Sequence, residues 1–116
     1  MKDMEIQVGA LRRALAGTTP AALVDVRELE EHARERLPGS LCVPLTALAQ
    51  QLNSYTSADR IVFVCQTGVR SLQAASFART LGYRHAVSLA GGLEAWRQEG
   101  QPIEGGELDQ QAGGGT

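Results

Sequence analysis

Ile61-Val62-Phe63-Val64-Cys65-Gln66-Thr67-Gly68-Val69-Arg70 sets four apolar residues before a thiol, a short polar turn containing glycine, and an arginine. An apolar run of this length, bounded by a turn signal, suits a strand buried on both faces, as in a parallel sheet, and a helix is expected to begin near Ser71. Where a strand ends and a helix starts, several backbone N–H groups lack intrahelical partners and point at one spot, next to the positive end of the helix dipole. A thiolate is stabilised there: a free cysteine has a pKa of roughly 8.5, and such surroundings lower it to about 3.5–7.5. Gly68 permits a tight turn, and Arg70 adds a permanent cation able to meet an anionic substrate at the sulfur. The plainer alternative is a small buried hydrophobe closing a strand. Gly68 and Arg70 together favour the reactive cysteine.

Working outward, the chain alternates strand and helix signals. Ile6 to Leu15 reads as a short strand or turn running into a helix, with Ile6, Val8, Leu11, Ala14 and Leu15 apolar. Pro20 punctuates, and Ala21 to Val26 is a second compact apolar run, placing another strand edge at Asp25-Val26-Arg27. Glu28 to Arg36 carries acids before arginines, the favoured order for i,i+4 pairs on a solvated helix. Pro38-Gly39 breaks that helix, Leu41-Cys42-Val43 is a short strand, and Pro44 stops it. Thr46 is a candidate N-cap for a helix over 47–52, and Asn53 to Asp59 a polar connection. From Ser71 to Leu81 the apolar Leu72, Ala75, Phe77, Ala78 and Leu81 surround much of the helix, predicting a well-buried element with Gly82 at its C′ position. Ala86 to Ala90 is a further strand, Gly91-Gly92 a tight turn with close backbone approach, and Leu93 to Gln98 a last helix with Leu93 and Trp96 in the core. Such alternation implies an α/β fold whose parallel sheet is covered by helices on both faces, with the ligand site at the carboxyl ends of the strands. Asp25, Cys65 and Ala90 fall at such ends.

At 116 residues, 43% hydrophobic and 21% charged, the chain suits one globular domain. Its extent is expected to be residues 1–104, with 105–116 a flexible tail too poor in apolar surface to order. A net charge of −2 offers no general field for nucleic acid or an anionic membrane, so neither is expected as a partner and anion binding must be local. The first residues lack a signal-peptide core, and no stretch approaches the roughly 18 apolar residues of a membrane span, so a cytoplasmic location is expected. Cys42 and Cys65 are too few for a disulfide framework or a structural zinc site. His32 and His85 are isolated and read as surface residues, and no metal site is assigned. Cys42, within Leu41-Cys42-Val43, reads as inert packing, with a redox partnership to Cys65 as the alternative.

Taken together, Leu23-Val24-Asp25-Val26-Arg27, Leu37-Pro38-Gly39-Ser40 with Val43-Pro44-Leu45, Ile61 to Ser71, Gly82-Tyr83 and Leu89-Ala90-Gly91-Gly92-Leu93-Glu94-Ala95-Trp96 resemble the single-domain rhodaneses. The resemblance covers roughly residues 5 to 103. It implies a three-layer α/β fold around a five-stranded parallel sheet, and a sulfurtransferase that carries a sulfane sulfur as a persulfide on Cys65. The donor would be thiosulfate or a persulfide, and the acceptor cyanide, a thiol or a protein. No metal or organic cofactor is implied. In that setting the N–H groups of Thr67, Gly68, Val69 and Arg70 are expected to converge on the terminal sulfur, Gln66 to Arg70 to contact substrate, and Asp25, Arg27 and Ser71 to support the loop.

Two other readings stay open: a non-catalytic module that keeps the fold for protein contacts, and a cysteine phosphatase or arsenate reductase. The latter class places five residues between cysteine and arginine, whereas Gln66, Thr67, Gly68 and Val69 make four, a ring suited to one sulfur atom. The chain also departs from the rhodanese pattern. Gln66 is neutral where thiosulfate-using members often carry a basic residue, so thiosulfate is expected to be a poor donor. Glu35-Arg36 and His32 replace family residues in a way expected to touch packing more than chemistry.

Overall fold

In the computed structural model, which describes residues 2–17, 21–55 and 60–105, the elements are β1 (Glu5–Ile6), α1 (Val8–Ala16), β2 (Ala22–Asp25), α2 (Leu29–Arg34), β3 (Leu41–Cys42), α3 (Leu48–Tyr55), β4 (Arg60–Val64), α4 (Val69–Thr80), β5 (His85–Leu89) and α5 (Gly92–Gln98). The strands form one five-stranded sheet in the order β1-β5-β4-β2-β3, and every pairing is parallel. This is the α/β sheet expected from the alternating runs. The strand that ends at Cys65 is the central one.

Alternation along β4 builds both cores. Ile61 and Phe63 pack with Val24, Leu48, Leu52, Ala74, Ala75 and Ala78 on the face covered by α3 and α4. Val62 and Val64 pack with Val8, Leu11, Leu89, Leu93 and Trp96 on the face covered by α1 and α5. Cys65 falls two positions after Phe63, and so joins the α3/α4 side. Truncating the fully buried Phe63 to alanine is expected to cost about 3–5 kcal/mol, which pins the strand that carries the thiol.

Several boundaries differ from the sequence reading for local reasons. Helix α4 begins at Val69 rather than near Ser71, because Gly68 at its N-cap takes a left-handed φ of 102° and turns the chain straight into the helix. Val69 and Arg70 therefore lie in the first helical turn. Thr46 caps nothing: Pro44, with φ near the proline value, opens a 3-10 turn over Leu45–Ala47, and α3 starts afterwards and runs on to Tyr55, through part of the expected connection. The rest of that connection at 56–59, Pro20, and the expected tail at 106–116 lie outside the described residues.

Helix α4 is also not buried all round. Its sheet-facing side is small: Ser71, Ala74, Ala75 and Ala78 lie against the sheet with the backbones close. Val69 and Phe77 face outward, 65% and 37% exposed, as does Leu81 at the C-cap, 47% exposed. Past α5, the segment leading to Gly105 is tied back, since Trp96 Nε1 donates to Pro102 O at 2.8 Å and Arg36 and Glu104 exchange two backbone hydrogen bonds of 2.8 Å. No helix of the described residues is long and apolar enough to cross a membrane.

Candidate active site

The Cys65 sulfur sits at the carboxyl end of β4, at the mouth of the turn into α4. Gly68 N–H donates to Sγ at 3.1 Å and Ser71 N–H at 3.3 Å. Ser71 Oγ is also 3.3 Å from Sγ, positioned to accept from the thiol or to donate to the thiolate. Burial pushes the Cys65 pKa up, but the Ser71 hydroxyl and the N–H groups of Ser71, Gly68 and Thr67 outweigh it, and the thiol is held below its ordinary value. A second hydroxyl stands behind the first: Ser88 Oγ on β5 lies 2.7 Å from Ser71 Oγ, and both side chains are fully buried. When Ser71 gives its one proton to the sulfur, Ser88 must be the donor in the bond between the two hydroxyls, so the pair is oriented as a relay ending on Cys65.

The loop rests on the start of α5. Leu93 N–H donates to Cys65 O at 2.8 Å and Glu94 N–H to Gln66 O at 3.1 Å. Gly92 makes this approach possible: a Cβ there would stand 2.5 Å from Cys65 O and 2.6 Å from Gln66 O. The Gly91-Gly92 turn thus brings backbone directly under the cysteine loop, as its place after a strand end suggests.

From the other side, the loop meets the end of β2. Asp25 and Arg27 are both buried, and Arg27 Nη2 donates to Asp25 Oδ2 at 2.8 Å while Arg27 Nε donates to Oδ1 at 3.0 Å. The Arg27 backbone N–H adds a further bond to Oδ1 at 3.0 Å. Arg27 then spends its remaining donors outward, Nη1 on Gln66 Oε1 at 3.3 Å and Nη2 on Glu35 O at 2.6 Å. Removing one member of such a buried pair leaves an uncompensated charge and costs about 3–5 kcal/mol.

Two residues of α2 complete the surroundings, and neither stands out in the sequence. His32 Nδ1 lies 2.9 Å from Asp25 Oδ2, so it belongs to the buried network and not to the open surface expected for it. With Glu35 O accepting from Arg27 Nη2, positions expected to touch packing more than chemistry reach the loop's support. Glu31 takes Arg70: Nη1 to Oε1 is 3.1 Å and Nη2 to Oε2 is 3.4 Å. The charged stretch 28–36 lacks any signal for these contacts except its order of acids, which is also the order of a capping box. Glu31 fills that role as well, accepting from Glu28 N–H at 2.8 Å.

The sequence therefore names residues that the fold brings together: Cys65, Gln66, Thr67, Gly68, Arg70 and Ser71 in one turn, with Asp25 and Arg27 beside it. Val69 is in the same turn but points outward, into an open groove of about 680 Å³ that Thr67, Gly68, Leu72, Gln73 and Phe77 also line. The donors that reach the sulfur itself are Gly68 and Ser71, with Thr67 close enough to lower its pKa. Arg70 turns to Glu31.

Residues 8–99 match the family model of the rhodanese-like domain. The chain belongs to the rhodanese family. Among curated relatives, a sulfurtransferase of Allochromatium vinosum is 32% identical over 99 residues, covering 85% of this chain and 92% of the relative. Human thiosulfate:glutathione sulfurtransferase is 35% identical over 101 residues, covering 75% and 88%. In solved structures, a human single-domain sulfurtransferase superposes with a TM-score of 0.73 at 34% identity, over 83% of this chain and 96% of that one. The family model and these relatives thus bear out the family resemblance and the fold read from the sequence.

Proposed function

We propose that this rhodanese-like protein is a sulfurtransferase that works by a ping-pong cycle on Cys65. The observation that carries the reading is the ring around Sγ: a thiol at the end of the central strand, held below its ordinary pKa by Gly68 and Ser71, with only four residues between it and Arg70. In the first half-reaction the Cys65 thiolate attacks the outer sulfur of a donor. The donor's sulfur–sulfur bond breaks, its electron pair departs with the leaving group, sulfite when the donor is thiosulfate, and Cys65 keeps the outer sulfur as a persulfide anion. In the second, cyanide takes that sulfur as thiocyanate, or a thiol takes it as a new persulfide and leaves its proton with the product. Cys65 returns as thiolate in each case.

The residues around the sulfur would divide this work. The Thr67 to Arg70 N–H groups would bind the extra charge of the persulfide, whose terminal sulfur extends further into the ring than Sγ. Asp25, Arg27 and Gln66 would hold the loop in that shape. The groove along α4 would admit the acceptor, a small thiol such as the glutathione named for the human relative or a segment of an acceptor protein. Both cysteines are free, which suits work in a reducing cytoplasm.

The test is direct. Incubation with thiosulfate, methanethiosulfonate anion or glutathione persulfide, followed by intact-mass measurement, is expected to show a gain of one sulfur atom that maps to Cys65 and is absent from Cys65→Ser. No gain with any donor would overturn the enzyme reading in favour of a protein-contact module.

A further inference from the structure

The cations beside the loop are already spoken for. Arg70 gives both terminal nitrogens to the Glu31 carboxylate, and Arg27 gives Nε and Nη2 to Asp25. The third residue at the rim, Gln66, is neutral and accepts from Arg27. Arg70 and Arg27 therefore each have a carboxylate of their own, and these charges cancel before the thiolate is counted. Glu31 is moreover not a loose surface acid. Glu28 N–H holds one of its oxygens at 2.8 Å, and its side chain is about two-thirds covered. The hydrogen bond from Arg70 lowers its pKa against the opposing effect of burial, with Glu28 N–H adding to it, so it is a carboxylate at neutral pH.

We propose that Glu31 is a specificity-determining residue: by engaging Arg70 it disfavours dianionic sulfane donors such as thiosulfate and favours donors with a single negative charge, organic thiosulfonates and alkyl persulfides. The idea rests on the sulfurtransferase reading above and adds the class of donor. A dianion approaching the Cys65 thiolate needs a free cation to offset its repulsion, and to obtain Arg70 it must displace a carboxylate held at two points. A monoanion needs less. Thiosulfate and methanethiosulfonate anion isolate this difference, because each gives up the same kind of outer sulfur. In both, the thiolate bonds to that sulfur and the donor's sulfur–sulfur bond breaks. The electron pair leaves with sulfite in one and with methanesulfinate in the other, and total charge is conserved.

The experiment measures the second-order rate constant for persulfidation of Cys65 by each donor in the parent protein, Glu31→Gln and Glu31→Asp. Glutamine keeps an acceptor for Glu28 N–H but removes the charge from Arg70. The ratio of thiosulfate to methanethiosulfonate rate constants is expected to rise about tenfold in Glu31→Gln, as release of one partly exposed charge pair implies, and to stay within about threefold of the parent in Glu31→Asp. Added salt should shrink the rise, since screening acts on the same charges. A ratio that stays level or falls in Glu31→Gln overturns the proposal, since a residue that merely positions the loop slows both donors alike. If the parent protein takes sulfur from neither donor nor from glutathione persulfide, the sulfurtransferase reading itself fails and the proposal goes with it.

Discussion

Two free cysteines end two neighbouring regions of the same sheet, and they are pushed in opposite directions. Cys65 closes β4 and Cys42 closes β3, both strands pair with β2, and both thiols lie at carboxyl ends. Cys65 is the more buried, which alone would make it the poorer acid, yet its pKa is lowered. Cys42 is raised to about 11, by burial first and then by Asp25, with Arg27 opposing. The difference lies in the residues that come after each strand. Beyond Cys65 the chain turns through a left-handed Gly68 into a helix of 12 residues and delivers N–H and O–H donors to the sulfur. Beyond Cys42 it meets Pro44, which has no N–H to give, and the sulfur's hydrogen-bond partner is a carbonyl, Arg27 O at 3.5 Å. An acceptor favours the thiol over the thiolate. Strand-end position does not lower a cysteine's pKa; the donors supplied by the next turn do.

The sharpest way to break this comparison is to titrate both thiols by alkylation against pH, resolved by peptide mass. The midpoint is the readout, because accessibility scales a rate without moving its midpoint. Cys65 is expected to titrate below the ordinary thiol value and Cys42 near 11, so the two midpoints stand well apart. Coincident midpoints would dismiss the account of both sites.

Next in size is the effect of the donors themselves. Ser71→Ala removes the hydroxyl and leaves the N–H, and a hydrogen bond to a charged group is worth about 1.5–3 kcal/mol, so alkylation of Cys65 at pH 7 should slow about tenfold. Ser88→Ala removes the group behind it, freeing Ser71 to point its proton elsewhere, and should slow alkylation about threefold. The same two variants should leave the Cys42 midpoint in place. Equal effects of both variants on both cysteines would mean a general loosening of the fold and not a relay.

Much of this comparison is legible in the sequence alone. A uniform apolar run at 61–64 and a compact one at 21–26, broken only by Asp25, mark strands buried on two faces, and the pair Gly68 and Arg70 marks the turn. What a sequence does not carry are contacts made by residues distant along it. Ser88 lies in an apolar strand and meets Ser71 only because β5 and β4 are neighbours in the sheet. His32 and Glu31 share a short helix with no buried residues, so periodicity gives no hint that one reaches Asp25 and the other Arg70. The burial of α4 departs from expectation for a related reason. Counting apolar residues favours Phe77 and Leu81, whereas the sheet selects the small residues Ala74, Ala75 and Ala78 that let the helix approach, and leaves the larger ones outside.

The smallest expected effect concerns stability, where the two thiols should pull against one another at alkaline pH. For Cys65 the folded pKa is depressed, so its contribution is present above the unfolded thiol value and is lost as pH falls through the folded one. For Cys42 the folded pKa is raised to about 11, so in the range between roughly 8.5, where an unfolded thiol ionises, and 11 the unfolded chain releases a proton that the folded chain retains. Stability therefore falls with rising pH through that window on account of Cys42. Replacing it with alanine removes this loss at the cost of some packing. The melting temperature of Cys42→Ala relative to the parent should accordingly rise between pH 8 and pH 10, by about 2–4 °C once the partial exposure of Cys42 is allowed for. A difference that is flat with pH would place Cys42 in the same electrostatic setting folded and unfolded, and would remove the contrast with Cys65 on which the assignment of the reactive thiol draws.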